Sequence, residues 1–247
     1  MALSQKKLNE IFKGIHSGSI NLDNLPTELS SFTYDEIIKF IQAGFGELTT
    51  EFKVAKMAAY DNNIVAFSGA KTFQEVKDLN SFVFTEEGAK RSFKEFREFA
   101  QQINETYNVA WLKTEQDTAF GMAQSAEKWD RFEEEKDIFP MLQYQTVGDD
   151  RVREEHAAWD NITRPVDDSF WDIHMPPNGF NDRCTVIQLA EGKKTSLRGV
   201  PKNDDPMFNV NPGKVNYIFN EKKHPYFKHT RSESKAFKKA IKWQSGE

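Results

Sequence analysis

The stretch that most restricts how this chain can fold runs Arg164-Pro-Val-Asp-Asp-Ser-Phe-Trp-Asp-Ile-His-Met-Pro-Pro-Asn-Gly-Phe-Asn-Asp-Arg-Cys184. Pro176 and Pro177 remove two backbone donors and push the residues before them toward extended conformations, so the stretch is not expected to be a helix. Asn178-Gly179 supplies the positive-φ residues that a tight reversal uses. The expected path is an extended segment, a sharp turn, and a short strand from Cys184 to Leu189, whose apolar and polar residues partly alternate.

Upstream the pattern is helical. Leu3, Leu8, Ile11, Phe12 and Ile15 fall at helical spacing, and Gly14 and Gly18 weaken the helix end. Thr33-Tyr-Asp-Glu36 has the form of a capping box ahead of Ile37, Ile38, Phe40 and Ile41. Phe52, Ala55, Lys56, Ala59 and Tyr60 predict a helix. Thr85-Glu-Glu-Gly88 predicts the start of another over Ala89 to Tyr107, with Phe93, Phe96, Phe99, Ala100 and Ile103 on one stripe. A third, Val109 to Glu135, carries Trp111, Leu112, Phe120, Ala123, Ala126 and Trp129, and Pro140 closes it. Such faces must bury one another, and 21 phenylalanines let a core be built from few positions.

Beyond Pro140 the texture changes to short strands and turns. A strand is expected over Phe139 to Val147, a single helix over Asp150 to His156 capped by Asp149 or Asp150, and a second strand over Val215 to Phe219. Residues 191–205 are polar and rich in breakers, the pattern of a mobile surface loop. The expected class is α+β: an N-terminal and central helical bundle or long hairpin, then a small mixed domain with irregular loops. Read in order, the divisions are 1–48 (helical module), 49–138 (long helices), 139–230 (α+β domain) and 231–247 (basic amphipathic helix).

A formal charge of −5 argues against nucleic-acid binding by the whole surface, though not by a local patch. A single cysteine excludes an intramolecular disulfide and a multi-thiolate zinc site. There is no apolar run of about 18 residues to span a membrane, and the N-terminal residues do not read as a signal peptide. Synthesis in a reducing cytoplasm is the expectation. Asp150, His156, Asp160, His174, Asp182 and Cys184 include the side chains of a metal site or a Cys-His dyad. Their spacing matches neither His-Glu-x-x-His nor Cys-x-x-Cys, and there is no phosphate-binding glycine loop or nucleophile elbow. No catalytic residue, no metal and no cofactor is therefore expected. The alternative left open is a metal-dependent enzyme, such as a nuclease, using His156, His174, Asp182 and Cys184.

At the C-terminus, Phe237, Ala240 and Ile241 oppose Lys235, Lys238, Lys239 and Lys242. That basic face suits water, DNA phosphates or an acidic protein surface.

Three elements stand in order: Asp150-Arg-Val-Arg-x-x-His156, the run Trp159 to Trp171 ending in Asp-Asp-Ser-Phe-Trp, and Pro176-Pro-Asn-Gly-Phe-Asn-Asp-Arg-Cys184. Together they resemble the phage Mu F-like minor head protein family, also called phage head morphogenesis proteins. Trp111-Leu-Lys-Thr-Glu-Gln and Tyr144-Gln-Thr-Val-Gly148 are similar to its helical lead-in, whereas residues 1–45 carry no resemblance. Asp182 stands where the family pattern has the first cysteine of Cys-Arg-Cys, which favours a structural clasp. The resemblance implies a low-copy virion head component that is not an enzyme and acts in head morphogenesis. Its implied partners are portal protein, major capsid or scaffold protein, and packaged double-stranded DNA, with no membrane. Within the motif, Arg151, Arg153, His156, Asp168, Trp171, Arg183 and Cys184 are expected to form a structural network that fixes an irregular segment.

Overall fold

The computed structural model describes residues 3–244. It is an α+β protein, with long helices and one three-stranded antiparallel sheet.

Helix α1 (Gln5–Ser17) begins where Ser4 accepts the Lys7 N–H and ends at Gly18, whose φ of 88° only glycine adopts at little cost. Helix α2 spans Thr27–Phe45, so Thr33–Glu36 lies inside it and does not cap it. Pro26 sets the start instead, and buried Leu29 and Ile37 carry the apolar face through. Helix α3 (Glu51–Ser81) runs far past Tyr60. Its continuation buries Ile64, Phe67, Phe73, Val76 and Leu79, but the same side also carries Asn63, Ser68, Lys71, Thr72 and Glu75, which blur the apolar stripe.

Helix α4 starts at Phe93, not at Ala89. Ser92 and Glu95 form its capping box, while Thr85 to Arg91 is a turn that uses Gly88 at φ 83°. A π-helical turn, Thr106–Trp111, leads without a break into α5 (Leu112–Glu134). The sheet has order β2-β1-β3, with β1 Met141–Gln145, β2 Thr163–Pro165 and β3 Thr185–Leu189. Short helices α6 (Glu154–Ala157) and α7 (Trp171–His174) flank β2 in sequence, and α8 is Ser234–Ala240. Helix α7 shows that the aromatic stretch admits one helical turn before its prolines.

The chain forms two compact units, each assembled from separated stretches. One comprises residues up to 39, 61–116, and 219 onward; the other comprises 40–60 and 117–218. The expected divisions at 48 and 138 fall within the second unit and that at 230 within the first.

In the first unit Leu8, Ile11, Phe12 and Ile15 pack with Leu29, Val76, Leu79, Val83, Phe96 and Ala100. Its C-terminal stretch is held by aromatic stacking, with Phe219 on Phe67 at 3.8 Å and Phe237 edge-on to Phe73 at 5.3 Å. Val215–Phe219 is not a strand. The side-chain amide of Asn63 takes both the Phe219 N–H (2.9 Å) and its carbonyl (3.0 Å), bonds a ladder would otherwise use. A Cβ at Gly69 would sit 2.0 Å from the Ala240 carbonyl oxygen, so glycine is what lets α8 lie this close to α3.

In the second unit Trp129, Phe132, Leu142, Tyr144, Trp159, Ile162, Val166, Phe170, Trp171, Met175 and Val186 form the core around β1. Met141 is paired with Pro165 on one side and Leu189 on the other, which fixes the register of the sheet.

Candidate functional site

The segments around β1 in the second unit are irregular, and side chains take several of the backbone bonding groups that a sheet or helix does not pair. Trp171 Nε1 donates to the Pro165 carbonyl (2.9 Å) and Trp159 Nε1 to that of Pro201 (2.8 Å). Both indoles are fully buried, so each anchors a loop with a ring and a hydrogen bond together. Arg164 donates to Thr195 O at 2.7 Å and to Asp168 Oδ2 at 2.6 Å, and Asp168 Oδ1 accepts the Phe170 N–H at 3.0 Å. Burial works to raise the Asp168 pKa, but Arg164, the Phe170 N–H and Lys194 outweigh it and hold the carboxyl low.

Three asparagines do comparable work. Asn178 accepts from the Tyr144 hydroxyl at 3.0 Å and donates to Ile173 O and Met175 O. Asn203 donates to Phe208 O at 2.9 Å, and Asn211 donates to Trp171 O at 3.0 Å while accepting from the Gly213 N–H. All three are buried, so an unmade bond at any of them would be costly. Residues 191–205, expected to be a mobile loop, are instead tied down at Thr195, Pro201 and Asn203.

The reversal before β3 differs from the expected turn. Asn178 and Gly179 are not among the positive-φ residues; Asn181, at 58°, takes that conformation. Gly179 matters for space, since a Cβ there would lie 3.0 Å from the Arg153 guanidinium, which donates to Phe180 O at 2.6 Å. Arg183 makes a two-pronged pair with Asp149 (2.6 and 2.7 Å), and this holds the half-buried Asp149 carboxyl well below the usual range. Asp149 also accepts the Arg151 N–H, so it forms a turn and does not cap a helix from Asp150. Helix α6 covers only Glu154–Ala157 and has no side-chain cap.

His156, Asp182 and Cys184 converge, with one donor atom from each within 4.8 Å of the others. His156 Nδ1 lies 3.6 Å from Cys184 Sγ and 3.5 Å from Asp182 Oδ1, and its ring stacks on Trp159 at 4.8 Å. Burial opposes ionisation of Asp182, but His156 and the N–H groups of Asn178 and Cys184 outweigh it and bring its pKa to about 2. Burial, reinforced by Asp182, pushes the Cys184 thiol up to about 12. His174 does not join this group. It stacks on Phe170 at 4.0 Å, its Nδ1 lies 2.8 Å from Phe170 O, its Nε2 accepts the Asn203 N–H, and burial lowers its pKa.

Of the expected network, Arg153, His156, Asp168, Trp171, Arg183 and Cys184 all bond within this unit, in separate clusters. Arg151 is exposed, and its side chain pairs with Asp149 at 3.5 Å. The four lysines lie in the other unit: Lys235, Lys238, Lys239 and Lys242 are exposed, while Phe237 and Ala240 are buried beneath them. The basic helix is shorter than expected, since α8 ends at Ala240.

Residues 87–187 match the family model described as Phage Mu protein F like protein. This stretch, less than half of the chain, is similar to that family. Over 80 residues the chain is 39% identical to the Putative capsid assembly protein F of Escherichia phage Mu. That stretch is 32% of this chain and 17% of the relative. No solved structure matches the chain. All seven residues of the expected network lie in the matched stretch, but Thr195, Pro201, Asn203 and Asn211, which close the knot around it, lie beyond its end. Tyr144 and Asn178 were expected only as a lead-in residue and a turn former, and neither they nor Asn203 and Asn211 were expected in this network; for the asparagines the signal was a neighbouring turn former. No helix among the described residues is long and apolar enough to cross a membrane.

Proposed function

We propose that this protein is a non-enzymatic minor head protein of a tailed bacteriophage, acting in head morphogenesis and carried in the virion. Its partners in this reading are the portal protein and the major capsid or scaffold protein, with packaged double-stranded DNA as a further contact through Lys235, Lys238, Lys239 and Lys242. The observation that carries it is the Mu F-like match over residues 87–187, which includes the whole aromatic-pinned motif. The geometry supports an architectural role. An irregular segment held by buried tryptophans, asparagines and arginine–carboxylate pairs presents a fixed surface, and little ordering entropy is then lost on docking. The test is to produce particles lacking the protein. Reduced yield of DNA-filled heads or reduced infectivity is expected; normal values for both overturn the reading.

A further inference from the structure

We propose that His156, Asp182 and Cys184 form a zinc site that clamps α6 to the segment entering β3. The three residues offer one imidazole nitrogen, one carboxylate oxygen and one sulfur, each an established zinc donor type. Zn–S of about 2.3 Å and Zn–N of about 2.05 Å at the tetrahedral angle place sulfur and nitrogen about 3.6 Å apart, and nitrogen and oxygen about 3.4 Å apart. The observed separations are 3.6 Å for Cys184 Sγ to His156 Nδ1 and 3.5 Å for His156 Nδ1 to Asp182 Oδ1. The second exceeds the usual 2.7–3.2 Å range of an N–H···O bond, so the pair is spaced as two ligands are and not as donor and acceptor.

The surroundings fit as well. Asp182 Oδ2 accepts the Asn178 N–H at 2.7 Å and Oδ1 accepts the Cys184 N–H at 2.9 Å, which fixes the carboxylate and leaves Oδ1 a lone pair. Trp159 holds the imidazole plane by stacking, and the side chains of His156 and Asp182 are 3% and 2% exposed. Thiolate and carboxylate together supply the two negative charges that balance a divalent cation. Asp182 and Cys184 also line a cleft of about 350 Å³ with Pro177 and Lys128, which gives an ion a way in and water the fourth position. This inference rests on the geometry and is independent of the head-assembly reading.

The test uses the purified full chain, extracted with chelator and then titrated with Zn²⁺ or with Co²⁺ as a spectroscopic stand-in. About one equivalent of Co²⁺ should bind, with a thiolate-to-cobalt charge-transfer band and the strong visible bands of four-coordinate cobalt. Cys184→Ser should abolish the charge-transfer band and weaken Zn²⁺ binding by more than the roughly 10–100-fold typical of losing an outer-shell partner. Asp182→Cys should keep binding and intensify the band, which makes the outcome readable even if Cys184→Ser is poorly folded. No binding by the folded parent chain overturns the site. So does a cobalt spectrum that lacks the thiolate band or that Asp182→Cys leaves unchanged.

Discussion

In the unit built on α3 the buried polar groups include three ionisable side chains, Lys71, Glu75 and Glu115. Lys71 Nζ meets Glu115 Oε2 at 2.5 Å, the Tyr226 hydroxyl donates to Glu115 Oε1 at 2.8 Å, and Asn108 donates to Glu75 Oε1 at 2.7 Å. Lys71, Glu75 and Glu115 are all nearly or fully inaccessible. In the unit built on β1, outside the His156–Asp182–Cys184 cluster and the Arg164–Asp168 pair, the buried polar work falls to neutral groups: indole N–H, asparagine amides and backbone carbonyls. A charge taken from water is stabilised only by its partner, so the first interior is sensitive to single substitutions and to pH. A neutral knot loses one hydrogen bond at a time but depends on ring packing, so its sensitivity is to volume.

The largest effect is expected at the centre of the knot. Trp159 is fully buried, bonds Pro201 and touches Tyr144, His156 and His174. Trp159→Ala should cost about 3–5 kcal/mol of unfolding free energy, read from the urea midpoint. Lys71→Met should cost a similar ~3–5 kcal/mol in the other unit, because Glu115 is left buried without its cation. The contrast lies in rescue. Lys71→Met with Glu115→Gln should recover most of the loss, since a neutral amide still accepts from Tyr226 and no charge is stranded. A double variant no better than Lys71→Met would mean that packing, not charge, dominates that interior.

The same comparison explains how much the sequence disclosed. Helices α1 and α4 were legible because their buried sides are uniformly apolar, Leu8-Ile11-Phe12-Ile15 and Phe96-Ala100. The second half of α3 was not, because Lys71, Thr72 and Glu75 sit inside and break the hydrophobic period. Around β1 the prolines and tryptophans marked an irregular segment, but the residues that close it are distant in sequence and look like ordinary turn formers. Asn203 and Asn211 bond inward, and no local pattern separates them from surface asparagines. His156 is likewise far in sequence from Asp182 and Cys184, and it is the antiparallel pairing of β1 with both neighbours that brings such segments together. Spacing rules for metal ligands describe local motifs and do not reach that far.

A smaller, pH-dependent effect sharpens the contrast. Burial raises the Glu75 carboxyl to about 8, against the opposing pull of Lys71. The folded state therefore keeps a proton that the unfolded chain releases near pH 4.5, and stability falls as pH rises through this window, by up to ~1.4 kcal/mol per pH unit. Burial also lowers His224 to about 4, which adds stability as pH rises from about 4 to 6.5 and partly cancels the Glu75 slope there. The Glu75 contribution should thus stand clear between about pH 6.5 and 8. Glu75→Gln is expected to flatten the decline of melting temperature over that interval, and an unchanged slope would place the buried proton elsewhere.

The smallest structural effect should come from the lysine face. Phe237 and Ala240 carry the packing of α8, so replacing Lys235, Lys238, Lys239 and Lys242 with alanine should alter stability by only about 0.5 kcal/mol per position or less. Its consequence for binding should be separable from that. Every phosphate these lysines neutralise contributes about 0.9 to the slope of log K against log salt for duplex DNA. The fourfold variant should therefore bind duplex DNA more weakly and with a shallower slope, while its melting temperature moves by no more than a few degrees. Equal affinity and slope for parent and variant would assign the basic face to an acidic protein surface or to water, and would leave α8 as a packing element for α3.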